Sequence, residues 1–330
     1  MSEFAGRQVL VTGAGGFIGG HLVDRLVRDG AEVRAFVKYN SRGHRGTLDC
    51  LPEEVASEID VVAGDIRDVE SIADAVRTRA VVFHLAAQIA IPYSFLNPRD
   101  YFETNVLGTL NVARAALAHG VERVVHTSTS EVYGSARAVP ITEDHPLEPQ
   151  SPYAASKVGA DKAMDSFHRS FGLPVTVLRP FNTFGPYQSA RAIIPTIISQ
   201  AIAGHGLRLG SLSPRRDFTF VSDTASGFVK AATVNAAVGE TVQLGTGREV
   251  SVADLVDMVG SLLGRSLEIE HDPSRLRPAA SEVDRLVSQP RRARELLGWS
   301  PRVALEEGLK QTIAWIEQNP RGFRVASYAV

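Results

Sequence analysis

Short, nearly uninterrupted apolar runs alternate with amphipathic stretches through the first half of the chain. QVLVT (8–12) is followed by a helical pattern over 17–29 and then by EVRAFV (32–37). The alternation repeats with DVVAGD (60–65), a helix near 69–77 and AVVFHLA (80–86). A long helix near 100–118 leads to ERVVHTS (122–128), and one at 152–171 leads to PVTVLRP (174–180). Strands that are apolar on both faces and separated by helices predict a parallel sheet covered on both sides. Beyond residue 185 the pattern loosens into shorter elements, among them VADLVDMVGSLLG (252–264) and RRARELLGW (291–299). That half reads as a smaller lobe leaning on the sheet, and NPRGFRVASYAV as a loose tail.

Bulk properties narrow the class. The chain has 330 residues, 44% hydrophobic and 22% charged, ordinary values for a globular enzyme. Its net charge of −2, with no basic run, gives no electrostatic case for nucleic acid or a membrane surface. Cys50 is the only cysteine, which excludes an intrachain disulfide and suits a reducing compartment. No apolar run reaches the roughly 18 residues of a membrane span. The first residues enter a strand without the apolar stretch of a signal peptide, so the expected location is the cytoplasm.

TGAGGFIGG (12–20) sets Gly13, Gly16 and Gly19 at the first strand-to-helix turn, with Phe17 and Ile18 opening the helix. The spacing is G-x-x-G-x-x-G. Glycines permit a tight turn and close backbone approach, and the helix N-terminus that follows favours an anionic pyrophosphate. The fold expected is therefore α/β: a Rossmann-type doubly wound parallel sheet over residues 1–180 with a mixed α/β lobe over 181–330, the boundary interleaved. Asp65 and Ile66 end the third strand where the adenine would lie, and Leu85, Ala86 and Ala87 end the fourth beside the same cleft. An NAD enzyme usually ends its second strand on an acid that binds the ribose. Here that strand ends on Val37 and Lys38, with Arg42 nearby, which suits the 2′-phosphate of NADP. NAD stays open.

SPYAASK (151–157) supplies Tyr153 and Lys157 four residues apart, on one face of a helix that Ser151 and Pro152 are suited to open. A lysine ammonium beside a phenol lowers its pKa from about 10, making a phenolate base available. Upstream, HTSTSEVYG (126–134) carries Glu131 at the exit of the fifth strand, either a solvated loop residue or a base.

These segments, with HLAAQ, ETNVLGT, RPFNTFGP, RRDFTFVSD and the closing LLGWSP, resemble the extended short-chain dehydrogenase/reductases, and among them the nucleotide-sugar 4,6-dehydratases. The Thr-Ser-Glu triplet resembles the GDP-mannose enzymes. IPYSFLNP, PFNTFGPYQSARAIIPT and RLRPAASEVDRL look more like dehydratases of nucleotide-linked N-acetylglucosamine in legionaminic-acid-type pathways. The resemblance implies a recycled NAD(P), with Asn105 among its contacts, and a nucleotide-diphosphate sugar as substrate. It implies that Tyr153 takes the 4-hydroxyl proton, Lys157 holds the cofactor ribose and Thr129 bonds the 4-oxygen. Glu131 would remove the proton from carbon 5, and Ser130 stands where glucose-type dehydratases carry Asp. Tyr93 and Ser94 on the loop after the fourth strand, Ser130, and Asn182, Arg191, Arg216 and Arg277 from a substrate-binding second lobe are the implied substrate contacts. Arg215 and Arg285 read as surface or structural, His84 and His126 as packed, and His205 and His271 show no metal-like spacing. A homodimer through a four-helix interface is implied, with Leu107, Leu110, Val112, Ala115 and Leu117 on one contributing helix. Rival readings are a 4-epimerase with Glu131 only binding, a glucuronate decarboxylase, a 5,6-dehydratase releasing an alkene, and a non-catalytic cofactor sensor. The decarboxylase reading is weakened because Gln150, Ser151 and Pro152 leave no arginine close before Tyr153.

Overall fold

The computed structural model describes residues 3–204, 206–275 and 281–320. His205, Arg277 and the tail from residue 321 lie outside them. The first-half strands are β1 (Gln8–Thr12), β2 (Glu32–Lys38), β3 (Asp60–Gly64), β4 (Val81–His84), β5 (Arg123–Thr127) and β6 (Val175–Pro180). Shorter ones follow: β7 (Asn182–Phe184), β8 (Leu207–Leu209), β9 (Arg215–Arg216), β10 (Phe218–Phe220), β11 (Thr241–Leu244), β12 (Val250–Ser251), β13 (Ile269–His271) and β14 (Arg285–Leu286). Helices α1 (Phe17–Arg28), α2 (Glu53–Ala56), α3 (Val69–Val76), α4 (Ile91–Leu96), α5 (Pro98–Phe102), α6 (Gly108–Ala118) and α7 (Pro152–Phe171) alternate with the first set. Helices α8 (Ile193–Ala203), α9 (Val221–Thr233), α10 (Val252–Leu262), α11 (Arg291–Leu297) and α12 (Leu305–Gln318) lie in the second half.

Seven strands form one parallel sheet in the order β11-β6-β5-β4-β1-β2-β3. Val9, Leu10 and Val11 are each fully buried because both faces are covered. Val9 and Val11 meet Leu22 and Leu26 of α1 and Phe228 of α9; Leu10 meets Ile72 of α3 and Val112 of α6 on the other face. β11 comes from the second half of the sequence and completes the sheet beside β6. A separate core of Phe184, Ile194, Ile197, Leu255, Val259 and Leu309 packs β7, α8, α10 and α12 together.

The chain winds outward from β1 in one direction and from β4 in the other. A crevice therefore opens at the carboxyl ends of β1 and β4, where ligands bind in open α/β sheets. The local sequence aims elements at it. Ser151 caps α7 by accepting from the Ala154 amide at 3.1 Å, Pro152 occupies the first turn, and Gly172 ends the helix in the left-handed region. The helix expected near 100–118 is α5 and α6 joined through a π-helical turn, Glu103–Leu107, which turns Asn105 inward.

Candidate active site

The glycine turn is built for close approach. Gly13 has φ +70°, and a Cβ there would come within 2.6 Å of the Ala86 amide nitrogen. A Cβ at Gly19 would meet the Gly13 carbonyl oxygen at 2.3 Å. Helix α1 starts at Gly16 with no side-chain cap and no acid in its first turn, so the orphan amides of Phe17, Ile18 and their neighbours are unopposed by negative charge. These residues fit a pyrophosphate.

Thr12 ties the two sides of the crevice. Its hydroxyl accepts from the Ala86 amide at 3.2 Å and shares a hydrogen bond with His84 Nδ1 at 2.8 Å. The other ring nitrogen, Nε2, shares a hydrogen bond with the Thr109 hydroxyl at 2.9 Å. Burial holds His84 neutral, well below its ordinary pKa, with His126 and Lys157 adding repulsion. His84 thus knits β1, β4 and α6, and its role is packing. His126 is likewise fully buried.

Around the crevice rim, Lys38 and Arg42 are exposed, and their side chains make no hydrogen bond or ion pair with the described residues. The Asn40 carboxamide shapes the loop by accepting from the Arg42 and His44 amides. Asp65 is committed to Arg67 at 2.6 Å, which holds its carboxyl below the usual range, and Ile66 is buried against Gly108. Leu85, Ala86 and Ala87 are half-buried on the loop after β4. That loop is clamped by Asn105, which accepts from the Gln88 amide and donates to the Gln88 carbonyl and Ser156. With both amide hydrogens used, Asn105 holds the loop against α7.

Thr129 caps the turn after β5 by accepting from the Glu131 amide at 3.2 Å, and its hydroxyl lies near enough to the Tyr153 phenol to favour the phenol's ionisation. The Glu131 carboxylate is half-buried, makes no hydrogen bond or ion pair with the described residues, and lies close enough to the phenol to oppose its ionisation. Ser130 is buried beside it. The expected depression of the phenol by Lys157 is not supplied by the protein's own groups. Burial pushes Tyr153 above the ordinary tyrosine range; only Thr129 opposes this, while Glu131, Asp161 and Tyr101 add to it. Lys157 instead donates to the Thr127 carbonyl at 2.6 Å, and burial draws its ammonium down to about 8 against the pull of Asp161.

Tyr93 and Ser94 lie on α4, not on a loop. Ser94 is fully buried and donates to the Ile91 carbonyl, so its hydroxyl faces its own helix, whereas Tyr93 is exposed. The Oδ1 of Asn182 is buried with no donor among the described residues. Arg191 is exposed and near enough to Tyr101 to favour its phenolate. Arg216 is buried, donating to the Arg215 and Asp284 carbonyls, with Glu282 at 3.8 Å. Arg215 and Arg285 both pair with Glu249 at the surface. His271 is exposed, and no group of three or more His, Cys, Asp or Glu among the described residues is arranged to hold a metal.

Sequence reasoning missed Tyr101. It is fully buried, donates to the Ala90 carbonyl and sets its ring edge-on to Tyr153 at 6.3 Å. Burial lifts its hydroxyl to about 12. Its only signal was an aromatic within an apolar helical run, which is how core residues also look.

This sheet order, with the crevice between β1 and β4, is the Rossmann-like fold of the extended short-chain dehydrogenase/reductases. The chain belongs to the GDP-mannose 4,6 dehydratase family, whose model matches residues 10–312. Its relatives divide by reaction. A UDP-glucose 4-epimerase from Mycolicibacterium smegmatis is 37% identical, covering 93% of this chain and 97% of that protein. A dTDP-glucose 4,6-dehydratase from Streptomyces antibioticus is 34% identical, covering 94% and 92%. A double mutant of the dTDP-glucose 4,6-dehydratase DesIV from Streptomyces venezuelae, solved with NAD and DAU bound, superposes with a TM-score of 0.85 at 31% identity, covering 96% and 98%.

Proposed function

We propose that the protein is a nucleotide-sugar 4,6-dehydratase, which converts an NDP-hexose to an NDP-4-keto-6-deoxy sugar. The glycine turn, Leu85–Ala87 and Lys157 would hold a nicotinamide cofactor, which when bound supplies a reversible hydride acceptor and a positively charged ring. Tyr153, beside Thr129, accepts the proton of the 4-hydroxyl. Carbon 5 beside the new ketone is acidic, and Glu131 removes its proton. Because Ser130 stands beside it and offers no second carboxyl, Glu131 also delivers a proton to the departing 6-hydroxyl. Water then leaves, and the Tyr153 proton or one from solvent adds at carbon 5 as carbon 6 takes back the hydride that carbon 4 gave up, which leaves the 6-deoxy ketone. Asn182, Arg191 and Arg216 contact the nucleotide diphosphate from the second lobe; Lys38 and Arg42 favour NADP, with NAD as the second coenzyme reading.

The observation that carries this reading is the Glu131 carboxylate, unpaired among the described residues and placed beside Thr129 and Tyr153. An epimerase needs no such base, and the 37% identity to an epimerase makes 4-epimerisation the second reading. Glu131→Gln separates them. A dehydratase should lose water elimination by roughly 10²–10⁴-fold, the usual worth of a general base, while still oxidising carbon 4. An epimerase would keep turnover within a few-fold.

A further inference from the structure

Behind the proposed dyad lies a buried charged layer that none of the roles above uses. Asp161 follows Lys157 by four residues, one turn along the same face of α7. It is 3% exposed. Its Oδ2 accepts from Ser128 Oγ at 2.7 Å and from an Arg179 guanidinium nitrogen at 3.1 Å, and its Oδ1 faces His126 Nε2 at 3.2 Å. Burial keeps His126 neutral. With Nε2–H donating to Asp161, its Nδ1 is left as a buried atom without a partner among the described residues. Arg179, 5% exposed, also donates to the Tyr133 hydroxyl at 3.0 Å and lies 5.1 Å over that ring. Tyr133 is fixed in turn by Gln243 of β11 at 2.8 Å.

Arg179 hydrogen-bonds the Asp161 carboxylate, and the buried Lys157 ammonium, one turn away on α7, is attracted by the same charge. The groups that act on Lys157 are Asp161 from α7, His84 from β4, and His126 and the Thr127 carbonyl from β5. A guanidinium does not give up its proton in a protein. Any deficit of negative charge in this layer therefore falls on Lys157.

We propose that Asp161 is a positioning residue that acts through Lys157: held by Ser128, His126 and Arg179, its carboxylate keeps the Lys157 ammonium protonated and seated on the Thr127 carbonyl. The inference rests on the dyad reading above, but its test does not depend on turnover. The chain has five lysines, Lys38, Lys157, Lys162, Lys230 and Lys310. Labelling them with ¹³C at the ε-carbon gives a spectrum in which Lys157 is assigned by its loss in Lys157→Arg. In the unaltered protein its signal should titrate near pH 8. Asp161→Asn should move that midpoint down by about 1–3 pH units, and Arg179→Gln should move it up, since the carboxylate then serves one cation. A role in packing alone would not move the two variants in opposite directions. An unchanged midpoint in Asp161→Asn, or shifts of the same sign, overturns the proposal. If Asp161→Asn does not fold, the absence of a rise in Arg179→Gln overturns it. Failure of the dehydratase reading would show instead as no water loss from any nucleotide sugar, with the lysine titrations unaffected.

Discussion

Gly13→Ala tests the cofactor turn against an internal control. Gly13 and Gly172 share a left-handed backbone, with φ +70° and +72°. Alanine at either position carries a similar conformational cost, roughly 1–2 kcal/mol. Their surroundings differ. A Cβ at Gly13 would lie 2.6 Å from the Ala86 amide nitrogen and 2.8 Å from the Leu85 carbonyl carbon, whereas at Gly172 it would meet nothing within 4 Å. Ordinary contact begins at 3.4 Å. Backbone atoms cannot swing aside as a side chain does, so β1 and β4 must part where their ends line the crevice. Overpacking a close-packed interior costs about 1–3 kcal/mol. Gly13→Ala should therefore lose roughly 2–5 kcal/mol of stability and Gly172→Ala roughly 1–2 kcal/mol. Urea unfolding at fixed pH measures both. Titration with NADP and NAD, followed by fluorescence, should show Gly13→Ala binding at least about tenfold more weakly, equivalent to ~1.4 kcal/mol, and Gly172→Ala unchanged. Equal destabilisation by the two variants, or undiminished cofactor affinity in Gly13→Ala, refutes the reasoning.

Acid should weaken the fold before the carboxylates titrate. His84 and His126 are held below their ordinary value of 6.5, so below that pH the unfolded chain binds protons that the folded one refuses. Stability then falls as pH drops from 6.5 toward their folded values; urea midpoints at pH 7 and pH 5 should differ, and less so in His84→Asn. A second expectation concerns assembly: Leu107 and Leu117, 53% and 38% exposed, belong to the proposed four-helix dimer interface. Leu107→Glu should shift sedimentation toward monomer, and a monomeric unaltered protein would discard that interface. Coenzyme choice is open to direct test, since Lys38→Ala with Arg42→Ala should weaken NADP binding by about tenfold or more while leaving NAD binding nearly unchanged. Equal loss for both coenzymes would remove the 2′-phosphate reading.

The sheet was legible because each of β1–β6 announces itself as an apolar run closed by a helix signal. Ser151, Pro152 and Gly172 mark the ends of α7 in the sequence as they do in the structure. β11 was not legible: TVQL is too short to stand out, and its place beside β6 is a long-range pairing that periodicity cannot reveal. The proposed dimer helix was legible only in part. Val112 and Ala115 point into their own sheet, leaving Leu107 and Leu117 outside, a division set by tertiary packing that composition does not record. Tyr153 and Lys157 could be found from their spacing, but the direction of the lysine could not, since the Thr127 carbonyl that captures it comes from a different strand. Asp161 carried a readable signal, its spacing of four from Lys157. Its partners Arg179 and His126 come from neighbouring strands that only the parallel register brings together.

The most direct test of the central claim is mass spectrometry of the purified protein with a panel of UDP-, GDP-, dTDP- and CDP-sugars in deuterated water. The account predicts a product lighter by one water, with deuterium incorporated at carbon 5, and its loss in Glu131→Gln. A product of unchanged mass and inverted configuration at carbon 4 would contradict it and leave Glu131 as a binding residue.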